Sequence, residues 1–333
     1  MTAETPIRWG IVSTGRIART MAGELRLLED AQLRAVSSRS ALRAQLFADE
    51  FGVERAYGSV DDLLADEEVD IVYVATPHAQ HAQVVGAALD VGRPVLCEKT
   101  FTTSLADTEE LVQRAQDREI FCMEAMWTRF VPVIVRAREI IAAGGIGEVR
   151  TITADLGFVA SRDPGHRFWD PALGGGALLD VGVYPVSLAQ MLLGEPDTVV
   201  AHGALTPEGV DAEAGLLLGW DGGQRALLDM SLIAHSPGVA SIVGTAGRLD
   251  VPPRFHHPTR LVHTRADGAV EEYEQQHEGQ GYVPMLRSVQ DCLRAGKAQS
   301  DVMPLADTVA VMRILDRALR LLGVQYPVPA PVA

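Results

Sequence analysis

Residues 7–18 read IRWGIVSTGRIA, an apolar strand pattern that runs through a glycine turn into a helical pattern. Such a turn lets backbone N–H groups and a helix N-terminus approach a pyrophosphate. The usual G-x-G-x-x-G/A fingerprint has its glycines at positions 13 and 15 and a small residue at 18, and here Ser13 replaces the first glycine. The stretch predicts a dinucleotide-type phosphate turn, with a plain glycine turn as the alternative. The candidate residues are Ser13, Thr14, Gly15, Arg16 and Ile17.

The first third of the chain alternates short apolar strands with helical stretches. The strand candidates are IRWGIVS, QLRAVSS, VDIVYVAT, PVLCE and IFCME, and the helices lie near 16–29, 40–51, 59–66, 78–91 and 104–118. Ser104 with Asp107 resembles a capping box, and Gly92 followed by Pro94 ends a helix. The alternation predicts a Rossmann domain with a doubly wound parallel sheet over residues 1–127.

Residues 128–333 have a different character. A helix near 129–142 precedes long strands with period-two alternation, such as EVRTITADLGF, EAGLLLGW and QRALLDMSLIAH. Helical patterns occur at GGALLDVGVYPVSLAQMLLG and near 281–295 and 304–322. Alternating strands without intervening helices predict an α+β domain with an open-faced, mostly antiparallel sheet. Because the later segments are too short to cover that face fully, we expect a homodimer or higher homo-oligomer.

Composition narrows the class of protein. The 333 residues are 47% apolar and 22% charged, and no apolar run approaches the roughly 18 residues of a membrane span. The N-terminus MTAETPIRWG lacks the basic start and apolar centre of a signal peptide. We therefore expect a cytoplasmic protein of two domains with no membrane partner.

Charge and cysteine usage exclude further classes. The net charge of −15 repels phosphate backbones, and no block rich in lysine or arginine offsets it, so nucleic acid is not an expected partner. Cys97, Cys122 and Cys292 are far apart and predict reduced thiols. His78 and His81 in TPHAQH lack a third ligand with suitable spacing, so no metal is expected.

The end of the second strand discriminates between nucleotides. An NAD enzyme usually carries Asp or Glu there, to hold the ribose 2′-hydroxyl. This chain has SSRS at 37–40, with no acid and with Ser38 and Arg39 in reach. Hydroxyls and a guanidinium suit a 2′-phosphate, so the pattern favours NADP over NAD. A solvated arginine that opens a helix is the alternative.

The stretch VLCEKT, residues 95–100, places Glu98 and Lys99 directly after a buried strand. In open parallel sheets ligands bind beyond the carboxyl ends of the strands, so Lys99 would face the ligand. A partly desolvated lysine near a nicotinamide can polarise a hydroxyl or carbonyl and lower the pKa of a neighbouring acid. The alternative is that these two charged residues form an ion pair and take no part in catalysis.

The stretch GGGALLDVGVYPV places Asp180 and Tyr184 four residues apart, on one face of a helix. A tyrosine phenol beside a cation can donate and accept protons, although core packing is the alternative for a helical tyrosine. Aromatic faces with an arginine suit a polyol, and interdomain packing is the alternative for each such residue. The candidates for substrate contact are Trp127, Arg129, Phe168 and Trp169, besides Asp180 and Tyr184.

Five stretches together resemble the Gfo/Idh/MocA oxidoreductases over nearly the whole chain: the glycine turn, ATPHAQH, CEK, MEAMWTRF and GGGALLDVGVYPV. Within that family they are most similar to the branch of dimeric dihydrodiol dehydrogenases and NADP-dependent D-xylose dehydrogenases. The resemblance implies a Rossmann domain plus an open-faced sheet domain. It also implies NAD(P)-linked hydride transfer at a carbon of a sugar or cyclic diol, and dimerisation through the sheet.

The resemblance also implies roles for single residues. Tyr184 would be the acid/base, with Lys99 and Asp180 beside it, and Glu98 would hold the lysine or the nicotinamide ribose. The turn with Thr76, Pro77, His78 and His81 would lie beside that ribose. The chain departs from the family at Ser13 and at Thr100, where the family has proline. Reduction of a keto-sugar by NADPH, and a catalytically silent NADP-binding regulator, are the alternative functions.

Overall fold

The computed structural model describes residues 5–163 and 165–329, which form two compact units. The first unit contains the described part of Met1–Trp127 together with Glu278–Thr308 and Pro329. The second contains Thr128–His277, apart from residue 164, and Val309–Val328. The units and the predicted domains share the boundary after Trp127, whereas Glu278–Thr308 packs with the first unit.

The first unit is built on a six-stranded parallel sheet in the order β3-β2-β1-β4-β5-β6. Its strands are β1 (Ile7–Val12), β2 (Ala31–Ser37), β3 (Arg55–Tyr57), β4 (Ile71–Val74), β5 (Val95–Cys97) and β6 (Cys122–Glu124). Every residue of β4 and β5 is buried, as expected for strands covered on both faces. This arrangement is the doubly wound sheet that the alternating pattern predicted.

Five helices connect these strands: α1 (Arg16–Leu25), α2 (Ala41–Phe51), α3 (Val60–Leu64), α4 (His78–Asp90) and α5 (Leu105–Asp117). The Ser104 hydroxyl accepts from the Asp107 N–H at 3.1 Å, which confirms the capping interaction at the start of α5. Gly92 has φ +76° just after α4, a conformation that glycine adopts without steric cost.

A late segment completes the first unit. Glu24, a buried residue of α1, accepts hydrogen bonds from the backbone N–H groups of Gln280 (2.8 Å) and Tyr282 (3.1 Å). The next helix in this unit, Val283–Arg294, places the Gln290 amide 2.7 Å from the Asp30 carbonyl oxygen. These buried polar contacts explain why Glu278–Thr308 belongs to the first unit.

The second unit contains an eight-stranded sheet in the order β14-β13-β12-β11-β7-β10-β9-β8. Its strands are β7 (Val149–Gly157), β8 (Thr198–Leu205), β9 (Asp211–Gly219), β10 (Arg225–Ser231), β11 (Ala240–Gly244), β12 (Gly247–Val251), β13 (Arg260–Arg265) and β14 (Val270–Glu274). All neighbours are antiparallel except β7 and β10, which are parallel. The remaining helices are α6 (Pro132–Ala142), α7 (Val183–Leu193), α8, which is the Val283–Arg294 helix, and α9 (Leu305–Leu322).

One face of this sheet buries its side chains and the other exposes them. Along β10 exposed and buried residues alternate from Arg225 to Met230. Val200, Leu217 and Leu227 are direct neighbours on β8, β9 and β10, and they are 50%, 42% and 46% exposed. We call these three residues the apolar row. They form part of the open sheet face that the sequence predicted.

The segment Pro171–Leu193 is the core helix of the second unit. It begins with a 3-10 turn, passes through a π-helical turn at Leu178–Gly182 and continues as α7. By length and composition it could cross a membrane, which the sequence analysis did not anticipate, but 83% of its most apolar window is buried inside the protein. Such burial is typical of a core helix.

The predicted and observed elements agree in type, and their ends differ by a few residues. The named stretches did not include the short edge strand β3 or the strands β8, β11, β12, β13 and β14. The three cysteines carry free thiols and are all buried, which raises the pKa of each and brings that of Cys122 to about 12.

Candidate functional site

A cavity of about 720 Å³ lies at the carboxyl ends of β1, β2 and β4 in the first unit. The turn after each strand contributes to its lining, with residues 12–15, 37–40 and 76–77. The helices add Arg19, Arg43, Leu46 and Gln80, and Val60 completes the wall. In an open parallel sheet this edge is where ligands bind.

The turn after β1, which is predicted to bind phosphate, has the backbone of a glycine turn although it begins with serine. Ser13 has φ 106°, a region that favours glycine, at the position of the fingerprint's first glycine. Its hydroxyl accepts from the Gly15 N–H at 3.3 Å, and its own N–H donates to the Ser37 carbonyl oxygen at 2.9 Å. Gly15 then precedes the first residue of α1. The backbone therefore keeps the fingerprint's conformation at Ser13.

Three arginines and no acidic residue occur among the described residues that line the cavity. Arg19 forms an ion pair with Glu50 and lies 5.6 Å from the centre of the Phe47 ring. The exposed side chains of Arg39 and Arg43 form no hydrogen bond or ion pair with the described residues. The cavity thus has two exposed guanidinium groups near the end of β2, and their N–H groups are available to a ligand.

Not every predicted cofactor residue lines this cavity. Ser13, Thr14, Gly15, Ser38, Arg39, Thr76 and Pro77 do, whereas Arg16, Ile17, His78, His81, Glu98 and Lys99 are absent from the lining. Arg16 is exposed on the first turn of α1, and His78 is buried at the start of α4. The cavity contains part of the residues expected around the phosphates, together with Thr76 and Pro77 from the turn expected beside the nicotinamide ribose. The other residues expected near the nicotinamide lie outside its lining.

The turn Glu98–Thr100 follows β5, and its surroundings are buried. The Tyr73 hydroxyl, on β4, donates a hydrogen bond to Glu98 Oε1. Both ring nitrogens of His81 lie within 3 Å of backbone carbonyl oxygens, so the polar atoms of the ring face the protein's own backbone. Lys99 is partly exposed, and the Lys99–Thr100 peptide bond is cis. Tyr73 could not be identified from the sequence, because its partner Glu98 lies 25 positions away.

In the second unit, Asp180 and Tyr184 occupy the core helical segment. Asp180 lies in the π-helical turn and forms a 2.7 Å ion pair with Arg167, a residue that sequence reasoning missed. Tyr184, on the first turn of α7, has its ring centre 5.3 Å from that of His256. Asp180 is therefore held beside a cation, and Tyr184 beside an imidazole.

The residues predicted to contact the substrate are all buried in the structure. Arg129 is 2% exposed and donates hydrogen bonds to Ser187 Oγ (3.0 Å) and Gln190 Oε1 (2.6 Å), which makes it a core residue of the second unit. Phe168 and Trp169 are buried, with the guanidinium groups of Arg167 and Arg162 over their rings.

Trp127 belongs to the first unit and stacks on Tyr282, with ring centres 4.6 Å apart. Trp127 and Arg129 thus each pack within their own unit, and their contact with a substrate stays a prediction.

The glycine-rich start of the core helical segment is fixed by two side chains from other parts of the chain. Asp211, at the start of β9, accepts from the Leu178 N–H at 2.6 Å, and the Tyr326 hydroxyl donates to the Gly175 carbonyl oxygen at 2.7 Å. Gly176 has φ +109°, and a Cβ atom there would come within 2.2 Å of Asp211 Oδ1. Only glycine allows this close approach. Burial raises the Asp211 pKa to about 7.

Among residues 5–163 and 165–329, no group of three or more His, Cys, Asp or Glu side chains is placed to hold a metal ion.

A parallel sheet with a glycine turn and a cavity at its carboxyl edge, joined to a second unit with an open sheet, defines a dinucleotide-binding class of α/β protein. Residues 7–126 match the oxidoreductase family with an NAD-binding Rossmann fold, GFO/IDH/MocA, and residues 134–250 match its C-terminal domain. The chain belongs to the GFO/IDH/MocA family of oxidoreductases.

Curated relatives cover nearly the whole chain. Trans-1,2-dihydrobenzene-1,2-diol dehydrogenase from Mus musculus is 35% identical over 96% of this chain and 98% of its own, and the Xenopus tropicalis protein of that name is 35% identical over 96% and 99%.

Among solved structures, the 3-ketoreductase KijD10 from Actinomadura kijaniata, in complex with NADP and TDP-benzene, is 27% identical with a TM-score of 0.82 over 94% of this chain and 96% of its own. An aldose-aldose oxidoreductase from Caulobacter crescentus, at 22% identity and a TM-score of 0.86 over 96% of this chain and 98% of its own, shares the fold.

Proposed function

We propose that the protein is an NADP-preferring oxidoreductase that interconverts a CH–OH group and a carbonyl group on a sugar or cyclic diol. The observation that carries the proposal is the cavity at the end of β2, which exposes Arg39 and Arg43 and has no acidic residue among its described lining. A 2′-phosphate carries up to two negative charges, which these guanidinium groups can bind. A ribose 2′-hydroxyl would instead favour a carboxylate there.

The cofactor preference is tested by exchanging the charge at Arg39. Parent protein should bind NADPH more tightly than NADH by about 1–3 kcal/mol, the range of charge-assisted hydrogen bonds. Arg39→Asp should reverse the order, because a carboxylate repels the 2′-phosphate and accepts from a 2′-hydroxyl. The measurement is a fluorescence titration with each dinucleotide.

Arg26→Asp is the matched control, since Arg26 is exposed in the first unit outside the cavity lining. It should leave the preference unchanged. Tighter binding of NADH than NADPH by the parent protein would overturn the cofactor assignment.

The proposed acid/base chemistry uses Tyr184 and Lys99. A bound nicotinamide would donate or accept the hydride, and the Tyr184 phenol would exchange the proton of the substrate oxygen. The proposal pairs the Lys99 ammonium with this phenol, because a cation beside a phenol would stabilise the phenolate. Lys99→Met should therefore lower kcat about 10²- to 10⁴-fold, because the active base disappears near neutral pH.

The Arg167–Asp180 ion pair supports a polar substrate. Asp180 Oδ1 lies 2.7 Å from the guanidinium, and the Arg167 side chain is 41% exposed. A hydroxyl can bond to an exposed guanidinium without the cost of burying a bare charge. Neutral polyols and diols are therefore the substrate class that this pair fits.

The names of the relatives suggest which compounds to assay. A panel of aldoses, inositols and trans-dihydrodiols with NADP tests oxidation, and keto-sugars with NADPH test the alternative direction, which the ketoreductase name of KijD10 favours. Turnover of a diol or sugar in either direction supports the proposal. Absence of turnover across the panel, with tight NADPH binding, would favour a silent NADP-binding protein.

A further inference from the structure

The turn that carries Lys99 is anchored on its N-terminal side through Glu98. The Glu98 N–H donates to the Val74 carbonyl oxygen at 2.9 Å, and Glu98 Oε1 accepts from the Tyr73 hydroxyl. Tyr73 is fully buried and Glu98 is 6% exposed. Burial, followed by the charge of Glu98, raises the pKa of the Tyr73 phenol well above its ordinary value, so the hydroxyl remains a donor.

The same turn is anchored on its C-terminal side through His81. This ring on α4 is completely buried, and Nδ1 lies 2.9 Å from the Thr100 carbonyl oxygen. Its Nε2 lies 2.8 Å from the carbonyl oxygen of Thr76, a residue that lines the cavity at the carboxyl ends of β1, β2 and β4. Burial lowers the pKa of this imidazole, so the neutral ring carries a single N–H, which can donate to only one of the two carbonyl oxygens. We assign that hydrogen to Nδ1, which gives the bond to Thr100.

We propose that Tyr73 and His81 are positioning residues that hold the Glu98–Thr100 turn from both sides and thereby set the location of the Lys99 ammonium. The inference rests on the proposed role of Lys99 in turnover. The residues on either side of Lys99 each contact a buried side chain: the Glu98 carboxylate contacts Tyr73 of β4, and the Thr100 carbonyl oxygen contacts His81 of α4. A displacement of about 1 Å in a reacting group lowers turnover about 100-fold, so anchors of this kind matter for rate.

A matched pair of phenol deletions tests the N-terminal anchor. Tyr73→Phe removes one oxygen and keeps the ring, and it should lower kcat about 10- to 100-fold while the NADPH dissociation constant stays within about 3-fold. Tyr57→Phe is the control, because the Tyr57 hydroxyl also donates to a carboxylate of the first unit, Asp66, at 3.0 Å. It should leave kcat and the dissociation constant within about 2-fold of the parent.

Two conservative replacements test the C-terminal anchor. In His81→Asn an amide N–H lies near the position of Nδ1, and in His81→Gln it lies near that of Nε2. If the bond to Thr100 positions Lys99, the Asn variant should keep a kcat within about 5-fold of the parent, and the Gln variant should lose about 10- to 100-fold. A purely structural ring would not distinguish the two variants in this order.

The outcomes separate this inference from the proposed function. If Lys99→Met keeps the parental kcat, the role of Lys99 fails. If Lys99→Met loses turnover while Tyr73→Phe matches Tyr57→Phe, the proposed function stands and the positioning role of Tyr73 is overturned. Equal kcat values in the Asn and Gln variants would overturn the role of His81. Tyr73→Phe decides the question alone if the His81 variants do not fold.

Discussion

Tyr184 is 9% exposed on the first turn of α7, with the His256 ring beside it. A buried phenol keeps its proton unless a nearby cation stabilises the phenolate, so its use as a base depends on that cation. Asp180, four residues before Tyr184, is the other candidate base of this segment. It forms an ion pair with Arg167, which makes its carboxylate less available as a base. At the scale of the residue, the proposed proton chemistry therefore rests on the phenol.

Replacement of Tyr184 by Phe tests this assignment. Tyr184→Phe keeps the ring packing and removes the proton donor, so kcat should fall about 10²- to 10⁴-fold while NADPH affinity stays within a few-fold. Steady-state rates on the best substrate of the panel and a dinucleotide titration provide the measurement. Tyr273→Phe removes a phenol that bonds to Gln275 in the second unit and should have little effect. Retention of a third of the parental kcat by Tyr184→Phe would make Tyr184 a packing residue.

The sequence identified the residue types of the candidate site but not their partners. Two features of the candidate site are local patterns that the sequence itself shows. One is the position of Lys99 after a buried strand, and the other is the spacing of Asp180 and Tyr184. The Tyr73–Glu98 bond and the Arg167–Asp180 pair join positions that only the folded chain brings together. The burial of Arg129 could not be predicted locally either, because its partners Ser187 and Gln190 lie 58 and 61 positions further along the chain.

At the scale of the element, the conformation at the start of the core helical segment could not be predicted from the sequence. The pattern predicted one helix over GGALLDVGVYPVSLAQMLLG, and the structure has a π-helical turn followed by α7. Asp211 comes from a distant strand and accepts from the first N–H of the π-helical turn. By contrast, the alternation of strands and helices in the first unit is encoded locally in apolar periodicity, which is why those elements were predicted well.

The Asp211 carboxyl should make stability depend on pH. Its pKa rises from 3.8 to about 7 in the folded protein, so the folded state binds a proton that the unfolded state has lost. The free energy of unfolding should therefore decrease as pH rises between about 4 and 7. Asp211→Asn removes this titration. From pH 5.5 to 8 its stability relative to the parent should improve by roughly 2 kcal/mol.

Urea denaturation of both proteins at the two pH values measures this difference. Asp163→Asn is a control, since Asp163 is exposed in the second unit. A relative stability that does not change with pH would show that Asp211 ionises at an ordinary pKa.

At the scale of the whole molecule, the open sheet face of the second unit is the feature most relevant to assembly. The apolar row of Val200, Leu217 and Leu227 leaves large side chains in solvent on three adjacent strands. Contiguous exposed apolar surface on a sheet marks an interaction site, and a twofold axis lets one copy cover the same patch on another. We infer that this face forms the contact of a homodimer.

Charges placed in the apolar row should disrupt that contact. The double variant Leu217→Lys and Leu227→Lys brings four ammonium groups into one symmetric interface, and their burial is unfavourable. The parent should be a dimer at micromolar concentration by light scattering, and the double variant a folded monomer, with a lower Tm because it has lost the stabilisation that association provides. Leu42→Lys, at a 70% exposed position of the first unit, is the control. A monomeric parent would refute the proposed interface.

The discontinuity of the first unit has a consequence during protein synthesis. The residues up to Trp127 supply the whole parallel sheet, but Glu24 finds its partners only at Gln280 and Tyr282, and Trp127 stacks on Tyr282. A ribosome that adds about 5–20 residues per second needs roughly 10–35 s to proceed from Trp127 to Thr308. During that time the nascent first unit lacks α8 and the residues around it. The surface of α1 that they later cover is exposed, so a chaperone can bind it then.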